Sequence, residues 1–291
     1  IINKYEFLSW GFVSMTVWNA IILGLVQGAT EFLPVSGSGH LSILSNLFNM
    51  TTPRDGHMLF NVLLRLGALI SVCIVYWKDI VQMFSEVLGL ANVGPLAGQH
   101  SRHYPGARLF LMLFVGSLPL LLILPVNDLL DRLYYHSVYI GIAIVLTGCA
   151  LYVSDRMAPG KKAGGSMTIS DALIVGICQC IAVIPGLSRV GITAAAGIAI
   201  GLRRDFAVKY AFLLSLPAMF GACIMSIAAA ARSAVDWSCV PAYLVGMAVS
   251  IVSGVAAISL MKYIVNKGKF GGFAYYCWVV GVLSVILSLI F

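Results

Sequence analysis

The sequence predicts an all-α polytopic membrane protein: six transmembrane helices plus two re-entrant helical hairpins in an inverted-topology repeat. Three observations carry that expectation. Charge is scarce, since 60% of the 291 residues are hydrophobic and 10% are charged, against roughly 25% charged in a soluble domain. The apolar residues are contiguous. Stretches 109–124, 139–153, 243–260 and 275–291 contain no charged residue, and a helix needs about 20 such residues, with tolerance at its ends, to cross a bilayer. Two further apolar stretches, one in each half of the chain, are broken by Gly, Pro and Ser at corresponding places.

In chain order, an apolar helix over 17–32 is interrupted by Pro34-Val35-Ser36-Gly37-Ser38-Gly39 and resumes over 40–48. Two arms too short to span separately, joined by such a tip, read as a segment that dips into the membrane and returns. Spans near 59–77, 108–125 and 137–153 follow. The polar stretch 154–170, with Pro159-Gly160-Lys161-Lys162, reads as a junction loop. The pattern then repeats: an arm over 172–184 breaks at Pro185-Gly186-Leu187-Ser188-Arg189 and resumes to Gly201, and spans follow near 207–228, 241–263 and 272–291. Residues 1–153, with a hairpin over 17–48, thus form one repeat, and 171–291, with a hairpin over 171–201, the other, within one integrated membrane domain. Phe60-Asn-Val-Leu-Leu-Arg-Leu-Gly67 also resembles Tyr210-Ala-Phe-Leu-Leu-Ser-Leu-Pro217, 150 residues on.

Three spans per repeat, an odd number, force the second repeat to insert upside down. The basic residues test this. Lys78, Arg102, Arg108, Arg156, Lys161, Lys162, Arg203, Arg204, Lys209, Lys262, Lys267 and Lys269 fall in one set of loops, whereas Lys4, Arg54, Arg132 and Arg232 fall in the other. Twelve against four places the first set in the cytoplasm and both termini outside. The formal charge of +7 is therefore an orientation signal, and a nucleic-acid partner is not expected. The seven cysteines are scattered through apolar runs and read as packing residues. Residues 1–8 lack the basic and apolar regions of a cleavable signal.

Irregular backbone at membrane depth is tolerated only inside protein or beside a wet cavity, and inverted repeats bring such tips together near the midplane. The first tip offers Gln27, Glu31, Ser36, Ser38 and His40; the second offers Ser188, Arg189 and Thr193. Gln27 and Glu31 stand four residues apart and share a helix face. Arg189 opens an arm after Pro-Gly, where free N–H groups favour an anion and a guanidinium pairs bidentately with phosphate. Intramembrane ionisable groups cost about 2.5–3.5 kcal/mol on insertion scales, which favours a functional reading. Structural alternatives stand beside it: a Glu31–Arg189 ion pair, a satisfied His40, hydroxyls that cap helix ends, and an Arg65 that snorkels or lines the cavity. His57, His100, His103 and His136 read as exposed.

The stretches Gln27-Gly-Ala-Thr-Glu31-Phe-Leu-Pro-Val-Ser36-Gly-Ser-Gly-His40 and Pro185-Gly-Leu-Ser-Arg-Val-Gly-Ile-Thr193 resemble the two signatures of the undecaprenyl-diphosphate phosphatase (bacitracin resistance) family. The resemblance covers most of the chain, because hairpin order, span count and length fit too. It implies a phosphatase of the bacterial inner membrane, with an outward-facing site and divalent-metal dependence. It further implies a polyisoprenyl diphosphate substrate freed to the monophosphate in cell-wall carrier recycling. On that reading Arg189, Ser188, Ser38, Thr193 and Arg65 bind the phosphates, Glu31 with Gln27 holds Mg²⁺ or Ca²⁺, and His40 serves as base or nucleophile alongside Ser36. A homodimer is compatible with it. Three positions depart from the family pattern: Gly37 and Val190 replace motif serines, and Arg65 stands where Gln or His is usual, and all three are expected to fall in one cavity. These departures keep a lipid-phosphate transporter and a non-catalytic binder as competing expectations, separated by phosphate release.

Overall fold

The computed structural model describes residues 15–47, 58–91, 104–126, 136–230, 237–268 and 270–290. Residues 1–8, three of the loop histidines (His57, His100, His103) and the basic residues Lys4, Arg54, Arg102, Arg132, Arg232 and Lys269 lie outside them.

Helix follows helix: α1 (Val17–Phe32), α2 (Gly37–Leu47), α3 (Met58–Val75), α4 (Trp77–Leu90), α5 (Pro105–Ser117), α6 (Ser137–Arg156), α7 (Ile169–Ile181), α8 (Arg189–Ala199), α9 (Arg204–Ala230), α10 (Val240–Asn266) and α11 (Gly272–Ile290). A 3₁₀ stretch, Leu118–Val126, extends α5, and Trp237–Cys239 leads into α10. Among the described residues the extended pairing is a single parallel bridge between Lys162 and Leu202. Among the described residues six helices are long and apolar enough to cross a membrane: Met58–Val75, Pro105–Ile123, Ser137–Arg156, Arg204–Ala228, Trp237–Asn266 and Gly272–Ile290. The protein is a multi-pass α-helical membrane protein.

Local chemistry sets the helix ends. Thr16 caps α1 by accepting the Asn19 N–H at 3.2 Å, and Leu33 turns extended (ψ 143°) ahead of Pro34, because a residue before proline is pushed out of the α region. A reciprocal capping box between Thr168 and Asp171 starts α7. The second arm of the first hairpin begins at Gly37, three residues before the expected His40, so the Gly37-Ser38-Gly39 segment is the first turn of α2 rather than part of the loop.

One element was not anticipated. α4 follows α3 after a break at Tyr76, and its Trp77, Val81, Phe84 and Leu88 form an exposed stripe while Met83 and Gly89 are buried. Lys78, Asp79, Gln82, Ser85 and Glu86 interrupt its apolar residues, so no span-length run betrays it. Buried Glu86 accepts the Gly106 and Ala107 N–H groups at 2.7 and 3.0 Å, satisfying donors that every helix N-terminus leaves free.

α1 packs on α10, α10 on α3, and α6 on α11. The first contact depends on glycine: a Cβ on Gly24 would lie 2.4 Å from the Gly246 carbonyl oxygen. Small residues that let backbones approach are how helices associate in lipid, where exclusion from water supplies no drive.

The basic loops converge on one end of the bundle. Arg204 donates to the Asp155 and Gly268 carbonyls, Asp155 accepts the Phe270 N–H, and Arg108 donates to Met167 O at 2.8 Å. Lys162 closes on Asp171 at 2.9 Å, while its backbone pairs with Gly201 and Arg203. The junction loop therefore clasps both ends of the α7–α8 hairpin.

Candidate active site

The two broken segments meet at their tips. Ser38 Oγ accepts the Gly186 N–H at 3.1 Å, joining the first turn of α2 to the turn between α7 and α8. Each turn contains a left-handed residue, Ser36 (φ 77°) and Gly186 (φ 93°). Glycine adopts that conformation freely; at Ser36 it costs about 1–3 kcal/mol and persists only when neighbours impose it.

At the meeting point lies a cavity of about 240 Å³ whose wall includes Gln27, Glu31, Ser38, Arg65, Ser188 and Arg189. Gln27 Nε2 donates to Glu31 Oε2 at 3.2 Å, across the one helix turn that separates them. Arg189 Nη1 stands 3.7 Å from Glu31 Oε1, a charge contact beyond hydrogen-bond length. The guanidinium is thus held without being saturated, and its buried Nε has no partner among the described residues. Ser188 caps α8 by accepting the Gly191 N–H at 3.1 Å, and its own N–H donates to Thr147 Oγ1 at 3.0 Å. Arg189 thus opens α8 at the helix N-terminus, the end whose dipole favours an anion. Arg65 enters from α3, with Nη1 donating to Ser226 Oγ on α9 at 3.3 Å.

Three expected site residues do not line this cavity. Ser36 is fully buried, and its Oγ accepts the Gly39 N–H. Thr193 is buried and donates to the Arg189 carbonyl at 2.7 Å, so it braces the helix that bears the arginine. His40 turns the other way: Nδ1 lies 2.7 Å from Ser36 O and Nε2 2.8 Å from Tyr276 Oη, with the rings stacked. A carbonyl can only accept, so Nδ1 carries the proton; Nε2 of the neutral ring then accepts from the Tyr276 hydroxyl. Both ring nitrogens are engaged in holding the left-handed Ser36. Tyr276 and Thr147, which support the two tips, were not singled out from sequence; Thr147 is a polar residue within an apolar span and Tyr276 stands beside a second tyrosine, Tyr275.

The family profile of the bacitracin resistance protein BacA matches residues 20–283. The chain belongs to the BacA family. Among curated relatives of the chain, an undecaprenyl-diphosphatase of Desulforapulum autotrophicum is 37% identical over 95% of the chain and 100% of its own length. Undecaprenyl-diphosphatases of Methanosphaera stadtmanae and Carboxydothermus hydrogenoformans are each 33% identical, over 95% and 94% of the chain and 99% and 98% of theirs.

The three positions expected to depart from the family pattern separate in space. Gly37 and Arg65 line the cavity; Val190 does not, being 2% exposed within the apolar core. The expectation that all three share one cavity is corrected accordingly, because position 190 on α8 faces the core and not the tip. Gly37 lies against the acid: a Cβ there would stand 2.9 Å from Glu31 Oε2.

The divalent cation implied by the resemblance can be tested against the donors present. Mg²⁺ is held through one or two carboxylates plus substrate phosphates, and Ca²⁺ takes six to eight oxygens. Among the described residues the cavity wall has one carboxylate, Glu31, engaged by Gln27 and faced by Arg189, with Arg65 as a second cation. No group of three His, Cys, Asp or Glu able to hold a metal exists among the described residues. Among the described residues the wall thus offers too few oxygens to cage Ca²⁺ and, for Mg²⁺, a single anchor already engaged by Gln27 and Arg189.

Proposed function

We propose that the chain is an undecaprenyl-diphosphate phosphatase, hydrolysing the lipid diphosphate to its monophosphate and inorganic phosphate in recycling of the cell-wall carrier. The observation that carries this is Arg189: an unsaturated guanidinium on a helix N-terminus, beside a single carboxylate, in the cavity where the two tips meet. Phosphoryl transfer asks mainly for positioning and for neutralisation of charge on the transferring group, and that constellation supplies both. At 240 Å³ the cavity is smaller than the roughly 300–1,000 Å³ of sites that enclose a drug-sized ligand. It takes the headgroup and leaves the isoprenoid tail between the apolar helices, in lipid.

In this reading Arg189 and the N–H groups at the start of α8 bind the terminal phosphate, and Ser38 and Ser188 donate hydroxyl protons to its oxygens. A water oxygen bonds to the terminal phosphorus as the bond from that phosphorus to the bridging oxygen breaks. The bridging oxygen keeps the electron pair and leaves on the lipid monophosphate, and Glu31 Oε1 takes the water's proton. His40 and Ser36 act behind this wall, holding the tip.

The α1–α2 and α7–α8 hairpins are re-entrant and the halves 1–153 and 171–291 form an inverted repeat. Supporting this, α1 packs on α10 as α7 packs on α5, α3 packs on α9, and α6 on α11, the pairings expected of a two-fold axis in the membrane plane. The basic end faces the cytoplasm of a cell with the protein in its inner membrane, and the site opens outward.

Phosphate release from undecaprenyl diphosphate by purified protein tests the function. Arg189→Ala and Glu31→Gln each lower kcat by about 100-fold or more while the fold is retained, in line with loss of one transition-state donor or base. Binding without release by the wild-type protein overturns the phosphatase reading.

A further inference from the structure

We infer that Arg65 binds the inner, lipid-proximal phosphate, so that Arg65 and Arg189 together supply the positive charge a divalent cation would bring, and the enzyme turns over without one. The inference rests on the phosphatase reading for its substrate.

The charges in the cavity point this way. Among the described residues its wall has two guanidiniums and one carboxylate, so a divalent cation would enter a site that is already cationic. A diphosphate would enter a site that attracts it. Arg65 reaches the cavity from α3, whereas Arg189 belongs to α8, so the two cations on its wall come from different elements. Arg65 uses one of its five N–H donors on Ser226 Oγ, at 3.3 Å. That bond aims the fork and leaves other donors for bidentate contact with phosphate oxygens. Glu31 lies next to Arg189, which marks the Arg189 end as the end where water attacks; Arg65 is left with the phosphate that stays on the lipid. Gln27 completes the picture. Its amide donates to Glu31, so the helix face that could have presented a second carboxylate to a cation spends its side chain on orienting the first.

Two measurements test this. In the first, phosphate release from undecaprenyl diphosphate is assayed in EDTA and with added Mg²⁺. The expected result is a rate in EDTA within about 3-fold of the rate with Mg²⁺. Activity abolished by EDTA and restored by Mg²⁺ overturns the inference and leaves the phosphatase reading standing; no release under either condition overturns the phosphatase reading instead. In the second, inorganic pyrophosphate binding is measured by calorimetry in EDTA, which needs no turnover. Arg65→Gln weakens it by roughly 10- to 100-fold, the loss of charged hydrogen bonds, and Arg65→Lys, keeping charge without the fork, recovers part of that loss. Arg65→Gln protein that binds pyrophosphate as tightly as wild type overturns the inference. A thermal unfolding midpoint close to wild type shows that each variant is folded.

Discussion

Ser38 Oγ and the Gly186 N–H are 3.1 Å apart, so two segments separated by 148 residues share a hydrogen bond at their turning points. That bond brings Ser38 and Glu31 from one hairpin to the wall that holds Ser188 and Arg189 from the other. Ser38→Ala leaves the buried Gly186 donor without its acceptor, at a cost of about 1–3 kcal/mol. The expected result is a lower thermal midpoint together with a fall in kcat, since the tips no longer hold register. A variant with normal stability and normal turnover would show that the contact is dispensable.

Position 37 is set against Glu31. Gly37→Val puts branched carbon where a single Cβ already comes within 2.9 Å of the carboxylate. Phosphate release is expected to fall by at least about 10-fold, an ångström-scale misplacement costing up to 100-fold. Val190→Ser, by contrast, restores no activity. It buries a hydroxyl in the apolar core, which costs about 1–3 kcal/mol by mutational data, and a chemical or thermal unfolding curve should register that loss without any gain in rate.

His40 and Tyr276 act as one unit on Ser36. His40→Ala and Tyr276→Phe are therefore expected to lower kcat by similar, modest factors of about 10 and to be non-additive in the double variant. A loss for His40→Ala in the roughly 10²–10⁴-fold range of general acid–base catalysis, with Tyr276→Phe silent and the acid limb of the pH–rate profile gone, would return His40 to the role of base.

The Lys162–Asp171 clasp gives a pH dependence. Burial by itself pushes the Asp171 carboxyl up, but hydrogen bonds from the Thr168 N–H and the Lys162 ammonium outweigh it and hold the group below its ordinary value. A folded-state value below the unfolded one stabilises the protein above the usual carboxylate range, and that stability is lost as pH falls through the depressed value. Thermal midpoints measured down an acid series should drop there for the wild type and less steeply for Asp171→Asn.

The close approach of α1 to α10 is the stability test. Gly246→Leu meets Phe60 and the Ala20 carbonyl at once, and overpacking of this kind costs typically about 1–3 kcal/mol. Because α1 bears Gln27 and Glu31, the variant should lose activity along with its thermal midpoint, whereas Val252→Leu, at a strongly exposed position of the same helix, should change neither.

Much of this protein was legible along the chain because the bilayer limits what a segment can do. Runs such as 243–260, without a charged residue, have no other stable home, and breaks such as Pro34–Gly39 and Pro185–Arg189 cannot face lipid. The charged and polar residues at those breaks were therefore visible as a set. α4 was not legible, because an amphipathic helix with Lys78, Asp79 and Glu86 among its apolar residues looks like a loop to any test of length and hydropathy. Nor could sequence separate Ser38, on the cavity wall, from Ser36, two residues away and fully buried.

The sequence by itself determined the class, the six spans, the two interruptions and the identity of the groups gathered there, since each follows from local composition and from the cost of polar backbone in lipid. Only the tertiary structure decided which way those groups face. Rotation about a helix axis is set by packing against other helices: Gly24 on Gly246 turns Gln27 and Glu31 inward, the core takes Val190, and the Tyr276 hydroxyl draws His40 to the far side of the tip. Those contacts join residues more than 200 positions apart in the first and last cases, and no local pattern in the chain encodes them.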